Sequence, residues 1–359
     1  MSHHTLSRQR GLTIVEIMVA MVIGLILTAG VVQVFMGSKT TYRVNEALGR
    51  LQEDGRFALE YLSRDVRMAG YSGCSRYGPV TNTLKNASNL AYNFEVGIQG
   101  YDNIGATPPA DLTAANINAK PGTDVIVIRR NGDNPVRIVQ NNNGAQLFAD
   151  QTTIETGACA NGTTRYSGLC EGDILMVSDC RKSRVFQAGN LTSTGSGVNT
   201  TVNVTHPASG SPGNDPSSWG GSSRPEEEQF GDDAEIVKVV TYAYFVGTDN
   251  VLYRQDGATT PAVAIAQGIE DMQVLYGVDT TPADTNQSTD TYVAAGAVTD
   301  WENVVSVRLH LLLRTLENNI AETPQTYRYI GTDVAVADAT DRFVRKEFTT
   351  LVALRNRLR

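Results

Sequence analysis

Basic charge is scarce in this chain of 359 residues: 30 Lys and Arg stand against 38 Asp and Glu, a net charge of −8. Nucleic-acid-binding domains carry the opposite balance, gathered into a basic patch, so no nucleic-acid partner is expected. Histidine and cysteine are scarce too, four of each with no Cys-x-x-Cys pair. A zinc framework is thereby excluded, and no metal or cofactor is expected. Gly-x-Ser-x-Gly and His-Glu-x-x-His are absent. Gly37-Ser38-Lys39-Thr40 lacks the Gly-Lys step of a phosphate loop. There is no internal repeat. Two further absences are local and coincide. Charge is missing from residues 17–38, and proline from residues 12–67.

What fills that gap is a run of 22 residues, Ile17 to Ser38, built mainly from Ile, Val, Leu, Met, Ala and Gly. A helix of that length crosses a hydrocarbon core of about 30 Å at about 1.5 Å per residue. Before it lies a polar leader, residues 1–11, with Arg8 and Arg10 close to the apolar run. Such arginines hold the extreme N-terminus in the cytoplasm, and the remainder of the chain is then exported. A cleaved secretory signal fits poorly, because its apolar region is shorter and ends in small residues. A plain membrane anchor leaves Glu16, a carboxylate at the bilayer edge, without a reason.

Arg10-Gly11-Leu12-Thr13-Ile14-Val15-Glu16 resembles the prepilin peptidase site of type IV pilins and type II secretion pseudopilins. The resemblance implies a cut between Gly11 and Leu12, with Glu16 fifth in the mature chain and the apolar run retained. It also implies N-methylation of the new first residue. Leu12 departs from the usual Phe there. Glu16 is expected to pair with the first-residue amine of a neighbouring subunit and so fix register during assembly. Loss of Arg8 and Arg10 would leave 28 basic against 38 acidic residues, or −10.

The helical pattern continues past the apolar run. Leu48, Leu51, Gly55, Leu59, Leu62 and Val66 recur at spacings of three and four, opposite Arg50, Glu53, Asp54, Arg56, Glu60, Arg64 and Asp65. One helix from Leu12 to about Met68 is expected, ended by Gly70 and Gly73. It divides into a transmembrane or filament-core part, 12–38, and an amphipathic part, 39–70. Residues 71–359 are expected to form a periplasmic β-rich head, with 189–225 a flexible loop rich in Gly, Ser, Thr, Asn and Pro. Residues 78–122 look similarly irregular. Candidate strands are Val125–Ile128, Ile174–Val177, Arg184–Gln187, Ile236–Val246 and the run Met272, Val274, Tyr276, Val278. The strongest alternates Val305, Val307, Leu309, Leu311, Leu313 with more polar residues, and Phe343–Leu354 supplies the last. The fold class is α+β: one long N-terminal helix packed on an antiparallel β-sheet with long loops.

Three segments narrow the resemblance. Arg56 to Tyr71, Gly268 to Asp279 and Phe348 to Asn356 resemble PilW-type minor pilins. That family implies a structural protein that takes part in type IV pilus assembly, priming the filament at its tip. Its partners would be other minor pilins, the major pilin, prepilin peptidase, the inner-membrane platform and a large tip adhesin. A large minor pseudopilin of a type II secretion system shares the same layout. A periplasmic hydrolase lacks a nucleophile and base, whereas loops that bind a surface need no motif.

Cys74, Cys159, Cys170 and Cys180 all fall on the exported, oxidising side, so two disulfides are expected. Three connectivities are open. The short Gly-rich loop favours Cys159 with Cys170, leaving Cys74 with Cys180. His3 and His4 lie in the leader. His206, in the expected loop, and His310, on the polar side of a strand, are expected to be solvated or structural. The acidic groups Glu226-Glu227-Glu228 with Asp232-Asp233, and Asp279, Asp284 and Asp290, are weak calcium candidates.

Overall fold

A computed structural model describes residues 11, 13–71, 80–143, 146–151, 154–179, 181–195, 200–216, 219, 229–257, 261–281 and 288–354. A single α-helix runs from Ile14 to Arg67, 54 residues without a break. Its first half is long and apolar enough to cross a membrane. With no Pro to remove a hydrogen bond, nothing interrupts the backbone ladder. Thr28, Thr40 and Thr41 turn their hydroxyls back onto the carbonyls of Gly24, Met36 and Gly37, at 2.7, 3.0 and 3.0 Å. Their polar atoms are satisfied within the helix, and its surface stays apolar. At the far end Met68 caps the helix and Gly70 takes a left-handed φ of 68°. The Gly70 amide donates to the Arg129 carbonyl at 2.8 Å. Gly73 lies outside the described residues.

The second half of the helix rests on a four-stranded antiparallel sheet. Its spatial order is Thr291–Val293, Ile269–Val278, Val304–Arg314 and Arg345–Ala353. Leu51, Ala58, Leu62 and Val66 meet Met272, Val274, Tyr276, Leu309, Leu311 and Val352 in one buried cluster. Gly55 sits under Phe348, where a Cβ would come within 2.7 Å of the ring. Of the expected inward positions Leu51, Gly55, Leu62 and Val66 are buried, Leu48 and Leu59 are half-buried, and Ala58 joins the buried face. Asp65, assigned by periodicity to the polar face, is buried and bonded to Arg130.

The alternation in Val304–Arg314 predicts one buried face, yet both faces are covered. The segment between this strand and Arg345–Ala353 folds back across the second face. Phe343 lies over Arg314 at 4.3 Å and Tyr327 over Arg345 at 5.3 Å. His310, on that second face, bonds Glu347 at 2.6 Å.

A second, larger sheet of twelve strands adjoins the first, where a single sheet was expected. Its hub is Glu235–Val246. The early part of that strand pairs with Ile174–Ser178 and Val136–Asn143, the later part with Val125–Asn131 and Val251–Asp256. One strand thus links two cores. Its later part contributes Tyr244 and Val246 to the helix cluster. Ile236, in its early part, joins a separate cluster with Ile138, Leu147, Leu175, Phe186, Val202 and Trp219. We call the region around that second cluster the middle lobe. One pair in the large sheet is parallel: Val80–Asn82 beside Ser183–Gln187. About a hundred residues separate these two strands, so no hairpin dictates their direction.

Two expectations of irregular chain give way. Residues 78–122 include the strands Val80–Asn82 and Ile98–Tyr101 and the short helix Ala110–Ala114. Within 189–225, Leu191–Thr194 and Thr201–Thr205 pair as antiparallel strands. His206 stacks on Trp219 with ring centres 3.9 Å apart, both fully buried. The composition is loop-like because the outward positions are Thr, Ser and Asn; the inward Val202 and Val204 carry the strand.

Candidate assembly site

The site expected from the sequence is the start of the helix. Gly11 is exposed, and Leu12 lies outside the described residues. Thr13 is the N-cap, and Glu16 stands three residues on. The Thr13 amide and hydroxyl each donate to Glu16 Oε2 at 2.9 Å, while the Glu16 amide donates to Thr13 Oγ1 at 3.3 Å. This is a capping box, which satisfies amides that a helix start leaves without partners. In the single chain the Glu16 carboxylate therefore has local partners. Thr13 was not among the expected site residues, although Thr13-Ile14-Val15-Glu16 carries the Thr-x-x-Glu signature in plain sequence.

Beyond this cap every residue from Ile14 to Arg43 is exposed. The large apolar side chains between Ile14 and Met36 are 44–79% accessible. Water does not tolerate so continuous an apolar surface, so membrane or other helices must cover it. Arg43 is the first helix residue tied to the head, through its guanidinium donating to the Asn319 carbonyl. Glu16 stands about 50 Å along the axis from Leu51, the first buried helix residue, at about 1.5 Å per residue.

The helix is fixed to the head by a buried polar cluster. Arg130 Nε donates to Asp65 Oδ1 at 3.0 Å, and the Tyr244 hydroxyl donates to Asp65 Oδ2. Burial, and then the Asp65 carboxylate, hold the Tyr244 hydroxyl far above its ordinary titration range. Arg254 donates to the Tyr61 hydroxyl at 2.7 Å and lies over the Tyr242 ring at 4.3 Å. Next to this cluster Arg129 is buried among neutral acceptors. It donates to the Leu90 carbonyl at 2.7 Å, the Val96 carbonyl at 2.9 Å and Gln99 at 3.1 Å. Burial lowers its pKa to about 10.

Cys159 and Cys170 are disulfide-bonded. Cys74 and Cys180, expected to pair with each other, lie outside the described residues, as do Glu226, Glu227, Glu228 and Asp284. Asp279 accepts from the Thr281 amide and Asp290 from the Thr280 amide, at 2.9 and 2.8 Å, so both serve local turns. Among the described residues no group of three or more His, Cys, Asp or Glu is placed to hold a metal ion.

Two family models match the chain. Residues 243–356 match the model described as Type IV Pilus-assembly protein W, and residues 6–32 match the prokaryotic N-terminal methylation motif. The first range begins within the hub strand and takes in all four strands of the sheet beneath the helix. The second spans the expected cleavage site, the capping box and most of the apolar run. No curated protein and no solved structure matches.

Proposed function

We propose, from the premise that this chain belongs to the type IV pilus-assembly protein W family and carries the prepilin-type methylation motif, that it acts as a minor pilin priming the filament. Family membership makes it a structural protein of pilus assembly, not an enzyme, and implies prepilin peptidase and the assembly machinery as partners. The finer reading is ours. The leader, residues 1–11, is removed after Gly11 and the new first residue, Leu12, is methylated. Residues 12–38 hold the protein in the inner membrane and then enter the filament core, while the head stays periplasmic. The protein joins other minor pilins and ends at the pilus tip, above the major pilin. The apolar half-helix carries this reading. Exposed along its whole length, it requires a membrane first and neighbouring helices afterwards.

Glu16 is the switch between those two states. Alone, its carboxylate is held by Thr13. After cleavage a neighbour's first-residue amine offers an ionic partner, and a buried carboxylate in an apolar bundle needs one. Glu16→Ala is expected to leave processing and the head intact, while recovery with other minor pilins and surface piliation fall sharply. Wild-type piliation in that variant would sink the assembly role. Substituting Gly11 is expected to block the cut, and an unchanged mature mass would reject the cleavage position.

A further inference from the structure

We propose that the middle lobe binds neutral polysaccharide, in a cleft beside the Cys159–Cys170 loop. The lobe lies outside both matched ranges and has its own core. The cleft, of about 300 Å³, opens between the start of Leu191–Thr194 and a hairpin of Ile154–Ala158 and Thr164–Tyr166, whose turn carries Cys159. Tyr166, Thr163, Thr164, Glu171 and Asn190 line it.

Each of these groups suits a sugar. Tyr166 is half-buried against the lobe's core, so its ring is held still. An aromatic face packs on the C–H face of a pyranose and tolerates its wet rim. Glu171 accepts hydrogen bonds from sugar hydroxyls, Asn190 both donates and accepts, and the threonine hydroxyls do the same. The disulfide ties the hairpin to the turn that precedes Ile174–Ser178, and further bonds hold the loop. Asn161 donates to the Glu171 carbonyl at 3.1 Å, and the Cys170 amide donates to Asp173 at 3.0 Å. A cleft shaped before binding loses less entropy when the ligand arrives.

The surface next to the cleft argues for a polymer rather than a single sugar. Thr192 faces Asn203 and Thr194 faces Thr201 across paired strands, with Thr205 beyond them. The outward positions of these strands are mainly threonines, beside half-buried Phe148, which stands opposite Asn203 on the next strand. The carboxylates beside it, Glu171 and Asp150, disfavour an anionic ligand. Lys238 is paired with Asp173 at 2.7 Å. A protein partner would be expected to meet an apolar or aromatic anchor surface. Of the exposed large apolar side chains among the described residues, only Val139 belongs to this lobe.

The test uses the full chain in lauryldimethylamine oxide, a detergent without a sugar headgroup. Binding is measured to dextran and to chitin oligosaccharides, with alginate as the anionic control. Saturable binding to a neutral glycan is expected, with none to alginate. Tyr166→Ala should weaken it about tenfold or more, the loss of one aromatic contact. The paired Glu171→Gln, Asn190→Ala variant, altered only at the cleft surface, should do likewise with unchanged circular dichroism and melting. No binding to either neutral glycan, equal binding to alginate, or full binding by the paired variant overturns the proposal. Piliation by the paired variant should be normal, which separates this site from the assembly role.

Discussion

Residues 14–38 and 51–67 belong to one unbroken helix, yet the first stretch is exposed at every position and the second is fixed to the head. The difference lies in composition and not in helix-forming tendency. The first stretch is apolar all round, so no single face points to a partner. The second puts Leu51, Ala58, Leu62 and Val66 on one side and meets a sheet of its own chain there. A chain that completes one half of a helix and leaves the other bare has reserved the bare half for another molecule. The polar ends follow the same division. Asp65 finds Arg130 and Tyr244 inside the protein, whereas among the described residues Glu16 finds only the cap residue beside it.

The sharpest way to break the comparison is at Asp65. Its side chain and that of Arg130 are 5% and 11% exposed, so this is no surface pair with a contribution near zero. Removing one partner strands the other charge in the interior. Asp65→Ala should lower the unfolding free energy of the head by about 3–5 kcal/mol, read by denaturant titration of the full chain in detergent. A loss under about 1 kcal/mol would mean that the helix is held by apolar packing alone.

Asp65 also marks where the sequence stops being legible. Periodicity alone gives the helix and most of its buried face, because Leu, Gly and Val repeat at helical spacing; it misses Ala58, and Leu48 and Leu59 are only half-buried. It sends Asp65 to the solvent side, because its partner is an arginine 65 residues away on a strand. Arg129 and Arg130 are adjacent and look alike in sequence. One forms the ion pair, and the other is satisfied by carbonyls of Leu90 and Val96. Backbone acceptors leave no trace in composition. Trp219 and His206 were hidden differently: they lie in a stretch rich in Gly, Ser and Asn, yet they fill the middle lobe's core. The start of the helix was legible in nearly every part, since a cap, a carboxylate and an apolar run are all local features.

The head carries a second buried carboxylate that lacks an ion pair. Asp124 accepts from the Asn103 amide at 2.7 Å and the Val274 amide at 2.8 Å. These bonds favour the charged form, but burial outweighs them and pushes its pKa up to about 6. A raised folded-state value means that the folded protein binds more protons than the unfolded chain between about pH 4 and 6. Stability relative to Asp124→Asn should therefore fall as pH rises through that window, by up to about 3 kcal/mol, and level off above it. Carboxyl carbon shifts followed by NMR should place the Asp124 midpoint near 6. A midpoint at or below 4 would mean that the two amides outweigh burial.

The smallest effect is the one that isolates the bare half of the helix. Ile23 and Leu62 occupy the same helix, and truncating either to Ala removes apolar atoms without harming helix propensity. Leu62 is fully buried, so Leu62→Ala should cost about 2–5 kcal/mol through lost transfer energy and the cavity left behind. Ile23 is 52% exposed in the single chain, and Ile23→Ala should move the unfolding of the head by less than about 0.5 kcal/mol. Its cost should surface only when other helices cover the site, as weaker recovery with partner pilins. If Ile23→Ala destabilises the head as Leu62→Ala does, the apolar half has a partner within its own chain, and the division of labour along the helix fails.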